Sequence, residues 1–146
     1  MTDRALIVAE ARRWIGTPYR HQASLIGVGC DCLGLVRGVW RGVCGPEPVA
    51  PPPYTPDWAE AAGRETLADA ARQHLIEVDP ATAEAGDIVL FRWRVGLPAK
   101  HCAVLSGPDR MIHAHDGAAV AEVALSPWWR RRIAFAFAFP DLPETH

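Results

Sequence analysis

The hydrophobic spacing changes once along this chain, and the change falls near Leu75. Before it, apolar residues recur every three or four positions: Ala5, Leu6, Val8, Ala9 and Trp14 within residues 3–15, then Leu33, Leu35, Val36, Val39, Trp40 and Val43 after Cys32. Such intervals line one face of a helix. After it come short runs of period two, Leu75 to Val78, Gly86 to Trp93, His101 to Leu105, Met111 to His115, Val120 to Leu125 and Ile133 to Phe139, separated by Pro, Gly and Asp turns. These read as strands. Helices first and then strands with short connections predict an α+β domain, N-terminal helices packed on an antiparallel sheet of about five to six strands.

Local signals place the helix ends. Thr2 is the expected N-cap of the first helix, which Gly16-Thr17-Pro18 ends, and Asp31 is the expected N-cap of the second. A third helix is expected from Thr55-Pro56, N-cap and N1, through Gly63 to about His74. Six of the 13 prolines fall between Pro46 and Pro56, so residues 45–56 are expected to form an extended connector within one domain over residues 1–146.

Composition narrows the function classes. With 49% hydrophobic and 22% charged residues the chain is neither disordered nor fibrous. A net charge of −2 and a pI near 6.3 give no overall drive toward nucleic acid or an anionic membrane. The longest apolar run, Ile133 to Phe139, is far shorter than the ~20 residues of a membrane span. Asp3 ahead of a short apolar stretch does not read as a signal peptide. Four cysteines are too few for a disulfide framework, which leaves reactive or buried thiols.

The sharpest local feature is Gly29-Cys30-Asp31-Cys32-Leu33-Gly34-Leu35, which sets a thiol in the first turn of a helix. Unpaired N–H groups and the positive dipole end favour a thiolate there. The bland reading of Cys32 is a small buried hydrophobe, and a nearby base decides between the two. His101 and His113 sit 12 residues apart, a separation suited to adjacent antiparallel strands joined by Ser106-Gly107-Pro108-Asp109. Each alone reads more simply as a structural histidine. Together with Cys32 they supply the nucleophile, base and third polar group of thiol acyl transfer.

Other chemistry is weaker. Cys30, Cys32, His101, Cys102, His113 and His115 form a pool of zinc ligands, but Cys30 and Cys32 are one residue apart and His101 and Cys102 lie on opposite strand faces, so neither metal nor cofactor is expected. Trp128-Trp129 read as packing residues, and Arg130-Arg131-Arg132 as charges guarding the aggregation-prone strand Ile133 to Phe139, rather than as sugar or nucleic-acid contacts. Pro48-Val49-Ala50-Pro51 meets a PxxP pattern that proline connectors often satisfy by chance. His115 shares a strand face with His113 by the two-residue period.

The series Trp14-Ile15-Gly16-Thr17-Pro18-Tyr19, Asp31-Cys32-Leu33-Gly34-Leu35-Val36, Ala85-Gly86-Asp87-Ile88-Val89, His101-Cys102-Ala103-Val104 and Ile112-His113-Ala114 resembles the NlpC family of papain-like cell-wall cysteine peptidases, in order and spacing, over nearly the whole chain. The resemblance implies a papain-like NlpC-type domain that hydrolyses an amide bond of peptidoglycan stem peptides, typically D-glutamyl to diaminopimelate, without a metal. By it Cys32 is the nucleophile, His101 the base and His113 the third polar residue. Tyr19 matches a tyrosine beside the nucleophile, placed for substrate or oxyanion, and Asp31 an acidic residue that caps and positions. Leu33 and Cys102 depart from the family, which more often has serine and a non-thiol small residue there. The short form with its proline stretch and the ending Leu125 to Arg132 is similar to peptidases encoded among tail genes of phages and gene transfer agents. That implies phage-like tail or baseplate partners, synthesis in the cytoplasm and action on the wall in the periplasm. The alternative is a catalytically silent adaptor of a tail that keeps the peptidase-like fold.

Overall fold

The computed structural model describes residues 3–48, 65–115 and 117–140. Helix α1 (Arg4–Arg12) is capped by Asp3, whose carboxylate accepts the Ala5 N–H at 2.8 Å. Asp3 therefore takes the role expected of Thr2, which lies outside the described residues. The helix also stops earlier than expected. Gly16, at φ +91°, turns the chain and donates its N–H to the Val120 carbonyl at 2.8 Å, an exchange that no continuing helix permits.

Between the helices, β1 (Ser24–Leu25) and β2 (Gly29–Cys30) form a small antiparallel pair. Helix α2 (Cys32–Val43) follows, with Asp31 as the expected N-cap. Gly34, Gly38 and Gly42 recur on α2 at one-turn intervals. A Cβ on Gly34 would run into the Ala23 carbonyl, one on Gly38 into the Trp14 ring and one on Gly42 into the Glu10 side chain. This stripe lets α1 and the loop before α2 approach the helix closely, and so fixes where Cys32 sits. Helix α3 (Thr66–His74) ends the helical half. Its expected start at Thr55, most of the proline connector and the PxxP stretch beyond Pro48 lie outside the described residues.

The second half contains β3 (Ile76–Val78), β4 (Ile88–Phe91), β5 (His101–Gly107), β6 (Arg110–His113), β7 (Ala121–Ala124), the helical turn α4 (Pro127–Arg130) and β8 (Ile133–Ala138). Each strand overlaps an expected run. The sheet order is β3-β8-β4-β5-β6-β7 with every pair antiparallel. The last strand inserts between β3 and β4, pairing Ile88 with Phe137 and Val89 with Ala136. The fold is α+β.

Alternation sorts two cores. Ile88, Leu90, Cys102, Val104 and Phe137 face the helices and pack with Ile7, Trp14, Leu35 and Val39. Val89, Phe91, Ala103, Leu105 and Ala136 face the other way and pack with Met111, Leu125 and Trp129. Because β4 is covered on both faces, Ile88-Val89-Leu90-Phe91 is apolar throughout rather than alternating. Gly86-Asp87 makes the turn into β4: Gly86 is at φ +93°, and buried Asp87 accepts the Glu84 N–H at 2.9 Å and pairs with Arg4 of α1.

Candidate active site

Cys32 opens α2, and the residues before it are tied down by Asp31. The buried Asp31 carboxylate accepts the Gly34 N–H through Oδ1 and the Gln22 N–H through Oδ2, both at 2.7 Å, and His21 Nδ1 lies 3.9 Å from Oδ2. Gln22 stands at φ +63°, a left-handed bend within the loop that Asp31 holds. Asp31 thus caps the helix and anchors the loop that flanks it. Tyr19 forms a parallel bridge with Cys30, framed by Cys30 N–H to the Pro18 carbonyl at 3.0 Å and Arg20 N–H to the Cys30 carbonyl at 3.1 Å. This places Tyr19 beside the segment that leads into Cys32. With the Gly34 N–H taken by Asp31, the Cys32 and Leu33 N–H groups open the helix without intrahelical acceptors, as donors for a developing oxyanion.

His101 begins β5 and His113 ends β6. The last pair of their ladder is Val104 with Ile112, so the two histidines meet diagonally across its open end. His101 Nε2 lies 2.9 Å from His113 Nδ1, and both rings are buried. Burial, and then the neighbouring His101 and His115, lower the His113 pKa to about 3, so this ring is neutral near pH 7. In the tautomer that carries the His101 proton on Nε2, a neutral His113 accepts it at Nδ1. That leaves His101 Nδ1 for the Cys32 thiol.

The thiol is pulled well below its ordinary pKa by a hydrogen bond from Cys102 and by the hydrogen bond and charge of His101, while burial and Asp31 oppose them. Cys102 is pushed up in turn by its hydrogen bond to Cys32 and by burial, and burial raises Cys30 to about 12. Three thiols therefore sit close together with one of them poised as a thiolate. Among the described residues, no group of three or more His, Cys, Asp or Glu side chains is arranged to hold a metal ion.

The tryptophans have more to do than the sequence suggests. Trp129 packs on the second core and also lies 5.6 Å from His101, 5.3 Å from His113 and 5.8 Å from His115, between ring centroids. Trp93 lies 5.5 Å from His101 with the planes 21° apart. The arginines also have partners: Arg130 donates to the Pro108 carbonyl and to Asp109, and the Arg132 guanidinium lies 3.7 Å over the Trp128 ring. No spacing rule reveals this ring cluster, because the end of β4 and α4 meet the histidines only through tertiary packing; the Trp128-Trp129 doublet is the one signal.

The helix-borne cysteine at the edge of an antiparallel sheet carrying its histidine partners has the papain-like architecture of NlpC/p60 domains. The NlpC/p60 domain of the peptidoglycan hydrolase SagA superposes with a TM-score of 0.64 at 29% identity, over 94% of this chain and 99% of that domain. An NlpC/P60 family protein from Bacillus cereus ATCC 10987 superposes with a TM-score of 0.68 at 19% identity, over 94% of this chain and 40% of that protein, and shows the same fold. The Gamma-DL-glutamyl hydrolase of Bacillus subtilis (strain 168) is 28% identical over 140 residues, which are 93% of this chain and 29% of that enzyme's length. Within this fold the chain belongs to the family described as a domain of unknown function, DUF6950, whose profile matches residues 12–131.

Proposed function

We propose that this chain is a cysteine peptidase, one domain over residues 1–146, that hydrolyses an amide bond in peptidoglycan stem peptides, of the D-glutamyl to diaminopimelate type. The observation that carries this reading is the 2.9 Å contact between His101 Nε2 and His113 Nδ1, which leaves the opposite His101 nitrogen to a thiol already held below its ordinary pKa. The similar proteins support the substrate class: SagA is a peptidoglycan hydrolase and the Bacillus subtilis enzyme a glutamyl hydrolase.

The reaction runs as acylation and deacylation. The Cys32 thiolate attacks the carbonyl carbon, and the oxyanion meets the N–H groups at the start of α2. His101 gives its Nδ1 proton to the departing amine, leaving a thioester. Neutral His101 then takes a proton from water as that water attacks the thioester, and Cys32 is restored. His113 accepts the His101 Nε2–H throughout and holds the ring in one tautomer. Tyr19 contacts substrate or the oxyanion from beside Cys32, and Asp31 positions the helix start.

The finer reading places the enzyme in a phage-like tail particle, made in the cytoplasm, with tail or baseplate proteins as partners and the periplasmic wall as its site of action. It rests on the ending Leu125 to Arg132 and the proline stretch, which resemble the tail-encoded peptidases. Mass spectrometry of purified peptidoglycan fragments incubated with wild type and with Cys32→Ala tests the activity. New stem-peptide termini that depend on Cys32 establish it and identify the bond. A folded wild type that cleaves nothing and whose Cys32 ignores iodoacetamide supports the silent adaptor instead.

A further inference from the structure

Five aromatic and histidine rings close around His101 at the open end of the β5–β6 ladder. Trp93 and Phe91 lie near-parallel to it, at 5.5 Å and 21° and at 5.8 Å and 28°. Trp129 reaches His101 and His113 together and touches Phe91 at 4.9 Å. Hydrogen bonds to His113 and to Cys32 hold the two nitrogens of the imidazole and leave its plane free to rock about the line between them. Stacked rings fix the plane. Trp129 sits on the four-residue turn α4, too short to hold itself. The anchor is Arg130, which donates to the Pro108 carbonyl at 2.7 Å and to Asp109 at 2.6 Å, in the turn between the two strands that carry the histidines.

We propose that Trp129 is a positioning residue: tied by Arg130 to the hairpin turn, it fixes the plane of the His101 ring so that Nδ1 faces Cys32. This deepens the peptidase reading and rests on it for its consequence in catalysis.

The test uses the full chain with Trp129→Leu, Trp129→Phe and Arg130→Ala, and exposed Arg131→Ala as a control on the same turn. Three quantities are read: kcat/KM on stem-peptide fragments, the rate of Cys32 alkylation by iodoacetamide against pH, and the His101 tautomer by long-range 1H–15N spectra. Trp129→Leu is expected to lose about 10- to 100-fold in kcat/KM with KM little changed. Its alkylation is expected to slow near about pH 6 but not near about pH 9, where the thiol ionises unaided. In protein whose Cys32 is already alkylated, so that no thiolate keeps a second proton on the ring, the single Nε2–H form of His101 is expected to give way to a mixture. Trp129→Phe restores most of each, Arg130→Ala shows a weaker form of the same signature, and Arg131→Ala matches wild type. A Trp129→Leu protein with the wild-type alkylation profile and tautomer overturns the proposal. If that variant does not fold, Arg130→Ala decides, and a wild-type profile in it overturns the proposal too. Alkylation and tautomer need no peptidoglycan, so a wild type that shows the expected signature but cleaves no stem peptide overturns the substrate reading and leaves the positioning role standing.

Discussion

His101 Nε2 and His113 Nδ1 are 2.9 Å apart, one on β5 and one on β6, and burial keeps His113 neutral near pH 7. A neutral acceptor orients His101 without competing for the proton that His101 must move. His113→Ala removes the acceptor and is expected to lower kcat/KM on the order of 100-fold, whereas His113→Asn, which offers a carbonyl oxygen, retains more. Steady-state kinetics on one defined stem peptide checks the order Ala below Asn below wild type. Equal rates in all three remove His113 from the mechanism.

The same residue sets a pH dependence of stability. His113 titrates near 3 in the folded chain against an ordinary 6.5, so between those values the unfolded chain binds a proton that the folded chain does not. Its contribution is therefore complete above about pH 6.5 and is lost as pH falls toward 3. Melting temperatures measured across that window are expected to drop less steeply in His113→Gln than in wild type. An identical slope contradicts the buried neutral histidine.

Cys32 is expected to be the one thiol of its cluster that reacts near neutral pH, because Cys30 and Cys102 are both pushed up. Brief iodoacetamide treatment at about pH 6.5 followed by peptide mapping is expected to label Cys32 well ahead of Cys30. Cys102→Ala removes a donor to the thiolate, so its labelling slows at that pH and equals wild type above about pH 9. Faster labelling in Cys102→Ala runs against the sign argued here.

Strand positions and the second helix were legible because period and caps are local. The Leu75 to Val78 and Ile133 to Phe139 runs announce β3 and β8, yet nothing in them says that β8 slides between β3 and β4, since sheet order is decided by long-range packing. Cys32 stands out from its helix-start context, and the 12-residue spacing of His101 and His113 predicts neighbouring strands, the arrangement observed. Legibility failed where the signal is a tertiary contact. Gly34, Gly38 and Gly42 take their meaning only from Ala23, Trp14 and Glu10 packed against them, and Trp129 reads as packing until the hairpin brings three histidines beneath it.

Gly38 gives the glycine stripe a measurable sign. In an exposed helix Gly→Ala stabilises by about 1 kcal/mol. Here the new methyl meets the ring of buried Trp14, so Gly38→Ala is expected instead to destabilise by about 1–3 kcal/mol. Urea unfolding gives the difference directly. A gain in stability means that α1 and α2 are not packed as closely as the ring contact requires.

Asp31 is where stability and reactivity are expected to part. Its two oxygens accept the Gly34 and Gln22 N–H groups, so Asp31→Ala leaves both donors unmatched and costs about 2 kcal/mol. Asp31→Asn keeps one acceptor oxygen and costs about 1 kcal/mol. The negative charge of Asp31 also opposes ionisation of Cys32, so removing it lowers the thiol pKa further. Asp31→Asn is therefore expected to melt earlier than wild type and yet to be alkylated faster near about pH 5, where the thiolate fraction limits the rate. Slower alkylation at every pH shows that Asp31 acts on Cys32 through the position of the helix start rather than through its charge.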